Sequence, residues 1–446
     1  MILTIARAAA LWALTATQDP APPPEPAALP ASPTPDLRSP ARSSGFHLEL
    51  SGYADVQFAW YDHGPNQNRT GGAQSDSRLT FDTTRFVAEL EGELPAHGVE
   101  FTAELEIEHG GAGAALELEY EEFGEFETEV EKGGEVNLEE LYLQKAFGER
   151  FSLRAGRFYV AVGLLSGFHR PTDYLGTARS EAETTVIPAV WDEIGLQARL
   201  KLQWGVATAQ VVNGLDSTGF SSQRWVALGH QGRFELVRAT DLAFVGRLDV
   251  TAVPGLVAGA SAYYGGTSRN RPKPDLVKTC EDADPNVTAP CGYVQAPLLI
   301  LDAHATLRAG PVRASALVLW GHLGNAEDVS ARNDRLSNAL GVLRTPVADN
   351  ALAVFGEVGV DVASPLGLDR SHRLEPFLRV DWYDTMFRPR SELFDNPRFE
   401  RLVVTAGLAY TLEERVFAKL DAGHRRLGSD DFRSENTVRL STGFVY

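Results

Sequence analysis

In segment after segment from residue 46 onward, apolar side chains occupy alternate positions and charged ones fall between them. In VEFTAELEIE, Val99, Phe101, Ala103, Leu105 and Ile107 alternate with Thr102, Glu104, Glu106 and Glu108. A period of two belongs to a β-strand with two unlike faces. HLELSGYADVQFAWY sets Leu48, Leu50, Val56, Phe58 and Trp60 against Glu49, Ser51, Tyr53, Asp55 and Gln57. EIGLQARLKLQ sets Ile194, Leu196 and Leu200 against Gln197, Arg199 and Lys201. AVFGEVGVDV sets Val354, Val358 and Val360 against Glu357 and Asp361. An ionised group in hydrocarbon costs several kcal/mol, so these two faces cannot share one solvent.

The pattern predicts strands near 46–62, 78–94, 97–109, 136–147, 150–159, 191–203, 205–213, 240–252, 255–266, 294–308, 311–323, 350–363, 372–385, 399–412, 415–426 and 435–446. The segment 334–345 reads either as a short helix in a loop or as a further strand. Sixteen is an even number, as a bacterial barrel requires. The connections alternate. Short ones occur at Pro95–Ala96, Gly148–Glu149, Trp204–Gly205, Pro254, Gly310–Pro311, Pro365–Gly367 and Glu413–Glu414. Long ones occur at 63–77, 110–135, 160–190, 214–239, 267–293, 324–349, 386–398 and 427–434. A soluble sandwich has no reason to segregate loop length in this way. The expected fold is therefore all-β: a transmembrane antiparallel β-barrel of about 16 strands, with long extracellular loops and short periplasmic turns.

Bulk properties agree. The 446 residues carry a net charge of −19, which argues against a nucleic-acid partner. No run of 18 apolar residues offers a helical span. The slightly negative mean hydropathy of −0.17 suits barrel strands, in which only every second residue meets lipid. MILTIARAAALWALTAT (1–17) reads as a secretory signal peptide and the Pro/Ala-rich 18–45 as a periplasmic linker, leaving 46–446 for the barrel. That places the protein in the bacterial outer membrane. Cys280 and Cys291 bracket a polar loop and suit a disulfide in an exported protein. Trp60, Trp191, Trp320 and Trp382 fall at strand ends and Trp204 at a short turn, as an interfacial girdle would place them. The sequence closes on NTVRLSTGFVY, with Val438, Leu440, Phe444 and Tyr446 on one face.

A ring of sixteen strands leaves room for water. The connection 160–190 is the longest and is the natural segment to fold inward, with Arg170, Asp173, Arg179, Glu181 and Glu183 as candidates for a pore constriction. Glu89, Glu91, Glu93, Glu104, Glu106 and Glu108 form an acidic wall, and Glu357 and Asp361 lie on the same kind of face. Carboxylate walls favour cations and rings of Arg or Lys favour anions. The glutamate-rich connection 110–135 is either a solvated loop or a surface site for divalent cations such as those that bridge lipopolysaccharide.

LRAGRFYVAVGLLSGFHRPTDY followed by IPAVWDEIGLQARL resembles the region around the third loop of the phosphate-selective porin O/P family. VRLSTGFVY resembles the β-signal read by the barrel-assembly machinery, with Tyr446 in place of the more usual Phe and Phe444 two residues before it. The resemblance implies a trimeric outer-membrane porin passing small polar solutes, with basic ladders selecting anions such as phosphate. Arg154, Arg199, Lys201, Arg247, Arg308, Arg379 and Lys419 are the inward-facing basic candidates here. The acidic wall departs from that pattern, and a general porin with a weak preference fits the charges better.

No Walker loop, H-E-x-x-H, C-x-x-C or G-x-S-x-G motif occurs. The sequence therefore points to no catalytic site, no cofactor and no metal centre. Two other readings stay open: a membrane-embedded barrel hydrolase and a plugged structural or adhesin barrel.

Overall fold

The computed structural model describes residues 45–65, 75–111, 114–118, 126–130, 134–164, 167, 169–231, 237–270, 276–278, 292–336 and 344–446. Residues 1–44, where the signal peptide and linker are expected, the cysteine pair and part of the glutamate-rich connection lie outside the described residues, as does the middle of 334–345.

Eighteen strands follow in chain order: β1 (His47–Pro65), β2 (Ser75–Leu94), β3 (Val99–Glu108), β4 (Ala114–Leu118), β5 (Phe126–Val130), β6 (Glu135–Phe147), β7 (Phe151–Tyr159), β8 (Asp192–Leu202) and β9 (Gly205–Asn213). The second half holds β10 (Leu242–Val250), β11 (Leu256–Gly266), β12 (Pro297–Ala309), β13 (Val312–Leu323), β14 (Asn350–Val360), β15 (His372–Asp384), β16 (Glu400–Leu412), β17 (Val416–Leu427) and β18 (Glu435–Val445). Sixteen of them form one closed antiparallel barrel, while β4 and β5 pair only with each other. Each of the sixteen barrel strands coincides with an expected one, and the bounds differ by three residues or fewer. The β4–β5 hairpin was not legible in the repetitive glutamates of 110–135. Among the described residues two α-helices interrupt the long connections, α1 (Glu181–Val186) and α2 (Ala326–Asn333).

The barrel closes where β1 meets β18, in register from Tyr53↔Val445 to Asp62↔Asn436. Gly52 and Tyr446 exchange backbone hydrogen bonds of 3.2 and 2.9 Å, and the Tyr446 hydroxyl donates to the Val87 carbonyl at 3.2 Å. Position 52 has to be glycine, because a Cβ there would run into the Val87 carbonyl and the Tyr446 ring.

The distribution of side chains is inverted relative to a water-soluble protein. Leu50 and Leu196 are each 63% exposed and Phe81 87% exposed, whereas Glu104 and Glu106 are each 1% exposed. Apolar residues point outward around the ring and charged residues point in. Only an apolar solvent makes such an outer surface favourable.

The inner face is not uniformly charged. At the long-loop ends of β10 to β15, inward positions hold Val245, Tyr263, Leu298, Ile300, Leu317, Leu319, Phe355 and Tyr383, which pack with Leu215, Phe220, Trp225 and Val329 from the connecting segments. Trp225 is fully buried and its indole Nε1 donates to the Ala348 carbonyl at 3.0 Å. Gly321 gives that indole its space, since any Cβ there would enter the ring. Trp191, expected in the interfacial girdle, is instead buried in this cluster, 4.9 Å from the Tyr263 ring. Its position at the start of β8 turns it inward, where the loops rather than lipid surround it.

Candidate pore constriction

The connection 160–190 lies inside the barrel. A loop in that setting has few waters for its peptide groups, so the wall must supply partners. The charged inner face does so at points from Gly163 to Ala182. Near its start the chain turns at Gly163 (φ +67°), where a Cβ would strike the Glu183 carboxylate. The Gly163 N–H donates to Asp302 on β12 at 2.9 Å, and its carbonyl accepts from Arg247 on β10 at 2.6 Å.

Farther along, Arg85 on β2 donates to the His169 carbonyl at 3.1 Å and Arg313 on β13 to the Thr172 carbonyl at 2.8 Å. Lys419 on β17 donates to three carbonyls at once: Pro171, Tyr174 at 2.7 Å and Gly176 at 2.9 Å. Glu357 on β14 accepts from the Leu175 N–H at 3.0 Å, and Asp421 accepts from the Thr177 N–H at 2.6 Å. Arg379 on β15 donates to the Ala178 carbonyl at 2.7 Å. Charge-assisted bonds of this kind are roughly twice as strong as neutral ones. β2 and β12 stand half a ring apart in the strand order, so the loop is tied to opposite walls.

Helix α1 ends the crossing. Ser180 caps it by accepting from the Glu183 N–H at 3.4 Å and donates to Asp381 on β15 at 2.6 Å. Glu181 pairs with Arg425 on β17 at 2.6 Å. Burial opposes ionisation of Glu181, but the Arg425 guanidinium outweighs it and holds the carboxyl at about 2. His169 goes the other way. Burial, reinforced by Arg85, Arg170 and Arg179, pushes its imidazole well below the usual range.

The expected site residues thus divide into two groups. Glu183 is buried and accepts from the Leu164 N–H at 2.6 Å. With Glu181, Glu357, Arg247, Arg379 and Lys419 it braces the loop. Arg154 is buried as well, its guanidinium 3.6 Å from the Tyr142 ring centre. Glu104 and Glu106 are also buried, the latter paired with Arg85. Asp361 leaves the wall altogether: β14 stops at Val360, and Asp361 accepts from the Ala363 and Leu374 N–H groups at 3.0 and 3.1 Å in the short turn. The second group is more accessible. Arg170 has a side chain 41% exposed, 3.7 Å from Glu89. Asp173, Arg179, Arg199, Arg308 and Glu108 are half-buried, while Glu91, Glu93 and Lys201 are exposed. Arg179, Arg199 and Arg308 form no ion pair with any described residue. A small recess lies beside the loop, with Arg179, Glu183, Glu357 and Arg379 in its lining.

Sequence reasoning missed Arg85, Arg313 and Asp421, although each sits at an inward position of its strand. It also missed Glu139, which sits at a register shift between β3 and β6 where the period of two breaks. His304 stands between Asp302 and Asp249, at 2.6 and 2.9 Å, a geometry like that of a catalytic triad. The neighbouring Ser261 hydroxyl donates to Asp302 and not to the imidazole, so no nucleophile is activated there.

Comparison with solved structures places this geometry. An anion-selective porin from Comamonas acidovorans superposes with a TM-score of 0.51 at 11% identity, over 90% of this chain and 100% of that one. The outer-membrane channel DcaP of Acinetobacter baumannii gives 0.52 at 10% identity, over 91% and 99%. The fold is that of outer-membrane porins. No family model matches the sequence. An uncharacterized protein of Aquifex aeolicus (strain VF5) is 28% identical over 170 residues, 38% of this chain and 35% of that protein. The match therefore spans about a third of the curated relative's length.

Proposed function

We propose that this chain is an outer-membrane channel through which small polar and charged solutes diffuse passively, with 160–190 setting the bore. One observation carries the reading: a segment is tied by its peptide groups to charged side chains across the interior of a barrel whose exterior is apolar. Nothing in this arrangement performs chemistry on a solute. Selectivity follows from the accessible charges. Glu89, Glu91 and Glu93 on β2 face Arg308 on β12, half a ring away. The transverse field between them is screened over about 8 Å at physiological salt. Arg170 and Arg179 on the loop therefore weigh most, and they give a weak preference for anions, phosphate among them. The anion selectivity of the Comamonas porin and the O/P resemblance lean the same way. Lipid and lipopolysaccharide around the barrel, export by the barrel-assembly machinery through Phe444 and Tyr446, and a homotrimer complete the proposal.

Planar bilayers test it. Reversal potentials across a KCl gradient, repeated with potassium phosphate, report conduction and sign together. Stable conductance steps with a modest anion-selective potential are expected; a silent bilayer would overturn the channel. One observation favours a second reading, the plugged structural barrel: the apolar cluster filling the long-loop half of β10 to β15. The silent bilayer is the outcome that reading requires.

A further inference from the structure

Gly163, where the inward loop leaves the wall, is held at both its N–H and its carbonyl by one cluster. Asp302 on β12 accepts from the N–H at 2.9 Å, and Nη1 of Arg247 on β10 donates to the carbonyl at 2.6 Å. Between these two side chains stands His304. Its side chain is 1% exposed, with Nδ1 2.6 Å from Asp302 Oδ1 and Nε2 2.9 Å from Asp249 Oδ1. Nη2 of Arg247 lies 2.7 Å from the same Nε2. Gly259 on β11 leaves room for this crowding, since a Cβ there would strike both His304 Nε2 and Asp249.

Nε2 cannot satisfy both neighbours. A carboxylate only accepts and a guanidinium only donates. In the neutral ring, Nδ1–H donates to Asp302 and Nε2 accepts from Arg247. In the imidazolium, Nε2–H donates to Asp249, and Nη2 of Arg247 faces a hydrogen in place of a lone pair. Nη1 and Nη2 share one rigid plane, so turning Nη2 away draws Nη1 off the Gly163 carbonyl. Charge permits both states. Asp249 and Asp302 against Arg247 alone leave one negative charge, and a second proton on His304 cancels it. Among the described residues no other ionised group meets the ring. From β11 comes Ser261, whose hydroxyl donates to Asp302, and from β13 Leu317 stands opposite His304. Farther out, Arg199 on β8 lies in the field of Asp249. Glu183 of α1 accepts from the Leu164 N–H at 2.6 Å and holds that residue in either state.

We propose that His304 is a proton-operated catch on the inward loop. Neutral, it leaves Arg247 on the Gly163 carbonyl; protonated, it displaces Arg247 while Asp302 keeps the N–H. An unperturbed histidine titrates near about pH 6.5, so mild acid loosens the start of the loop and leaves the farther ties in place. The effect on conduction rests on the channel reading; the exchange of hydrogen bonds does not.

The full chain in detergent micelles tests the exchange by nuclear magnetic resonance. Imidazole ¹⁵N shifts are followed from about pH 8 to about pH 5, with His304 assigned by its loss in His304→Gln. Labelling valine carbonyls with ¹³C and glycine with ¹⁵N reports Gly163 through its bond to Val162; Val245–Gly246 and Val358–Gly359 are the other such pairs in the sequence. A ring with its proton on Nδ1 at the alkaline end, gaining a second at Nε2, is expected, and the Gly163 amide should shift with the same midpoint. In His304→Gln that amide should stop responding to pH, and in Arg247→Gln it should sit near its acid position throughout. In bilayers the wild-type current should grow noisier through the midpoint, and that of His304→Gln should not. Wild type alone reports the ring and the Val–Gly signals, so a variant that fails to fold leaves the test intact. A ring that keeps one state across the range overturns the proposal. So does a Gly163 amide that moves identically in folded His304→Gln. A silent bilayer with the shared midpoint intact would remove the channel and leave the catch standing.

Discussion

Two sectors of one barrel follow the same alternation and solve it differently. Inside β1, β2, β3 and β17, inward positions hold Asp55, Arg85, Glu104, Glu106, Lys419 and Asp421, all buried. Inside the long-loop halves of β10 to β15 they hold Val245, Leu298, Ile300, Leu317, Leu319 and Phe355, buried as well. The first sector solvates the peptide groups of the crossing loop with charge. The second receives apolar side chains from the loops above it. An inward position in a barrel is thus not polar by rule; it matches whatever covers it.

The contrast can be broken by mutation, and the largest effect is expected in the apolar sector. Trp225→Ala should destabilise the protein by about 3–5 kcal/mol, since a fully buried ring is removed. Urea unfolding from micelles measures it, and a loss below 1 kcal/mol would mean that the loops do not brace the barrel. Next comes the outer face, which both sectors share. Leu420 points to lipid at mid-strand and is 50% exposed, so Leu420→Arg should cost about 2–4 kcal/mol by the same assay. An unchanged midpoint would show that this surface is not lipid-facing.

Lys419→Met tests the charged sector. It leaves three loop carbonyls without their donor and should cost about 1–3 kcal/mol. Noisier and larger conductance steps should accompany the loss; quiet steps of wild-type size would show that the loop does not set the bore. The pH dependence sharpens this point. The folded Glu181 carboxyl is depressed to about 2, below its unfolded value. The stability it contributes is therefore fully present above about pH 4.5 and is lost as pH falls through about 2. Limited proteolysis of the loop should be unchanged from pH 7 to 5 in wild type, and enhanced at pH 7 in Arg425→Met. The smallest effect on stability belongs to Arg308→Glu, within about 0.5 kcal/mol for a partly accessible position. Its reversal potential should move toward cations, and an unmoved potential would remove β12 from the conduction path.

The fold was legible because lipid and water impose a strict period on each strand. Gly205–Asn213 matches its expected bounds residue for residue. The inward course of 160–190 was legible from loop length alone. The clamps that hold it were not, because pairs such as Asp421 and Thr177 are set by ring geometry and not by spacing along the chain. The apolar sector did leave a trace. In Leu298, Leu299, Ile300 and Leu301, and in Leu317, Val318 and Leu319, both faces are apolar at once. That is the signature of a strand buried on two sides, and it names the stretch of wall that loops will cover. Trp191 was misplaced for the same reason: a tryptophan at a strand end can meet lipid or a loop, and the sequence does not say which.

The seam between β1 and β18 has a consequence for biogenesis. The strand formed first in synthesis has no permanent neighbour on one edge until the last has been made. Unpaired edges are templates for aggregation, and contacts between distant parts of a chain form slowly. Delivery to the membrane therefore has to keep the edge of β1 shielded for as long as the remaining strands take to arrive.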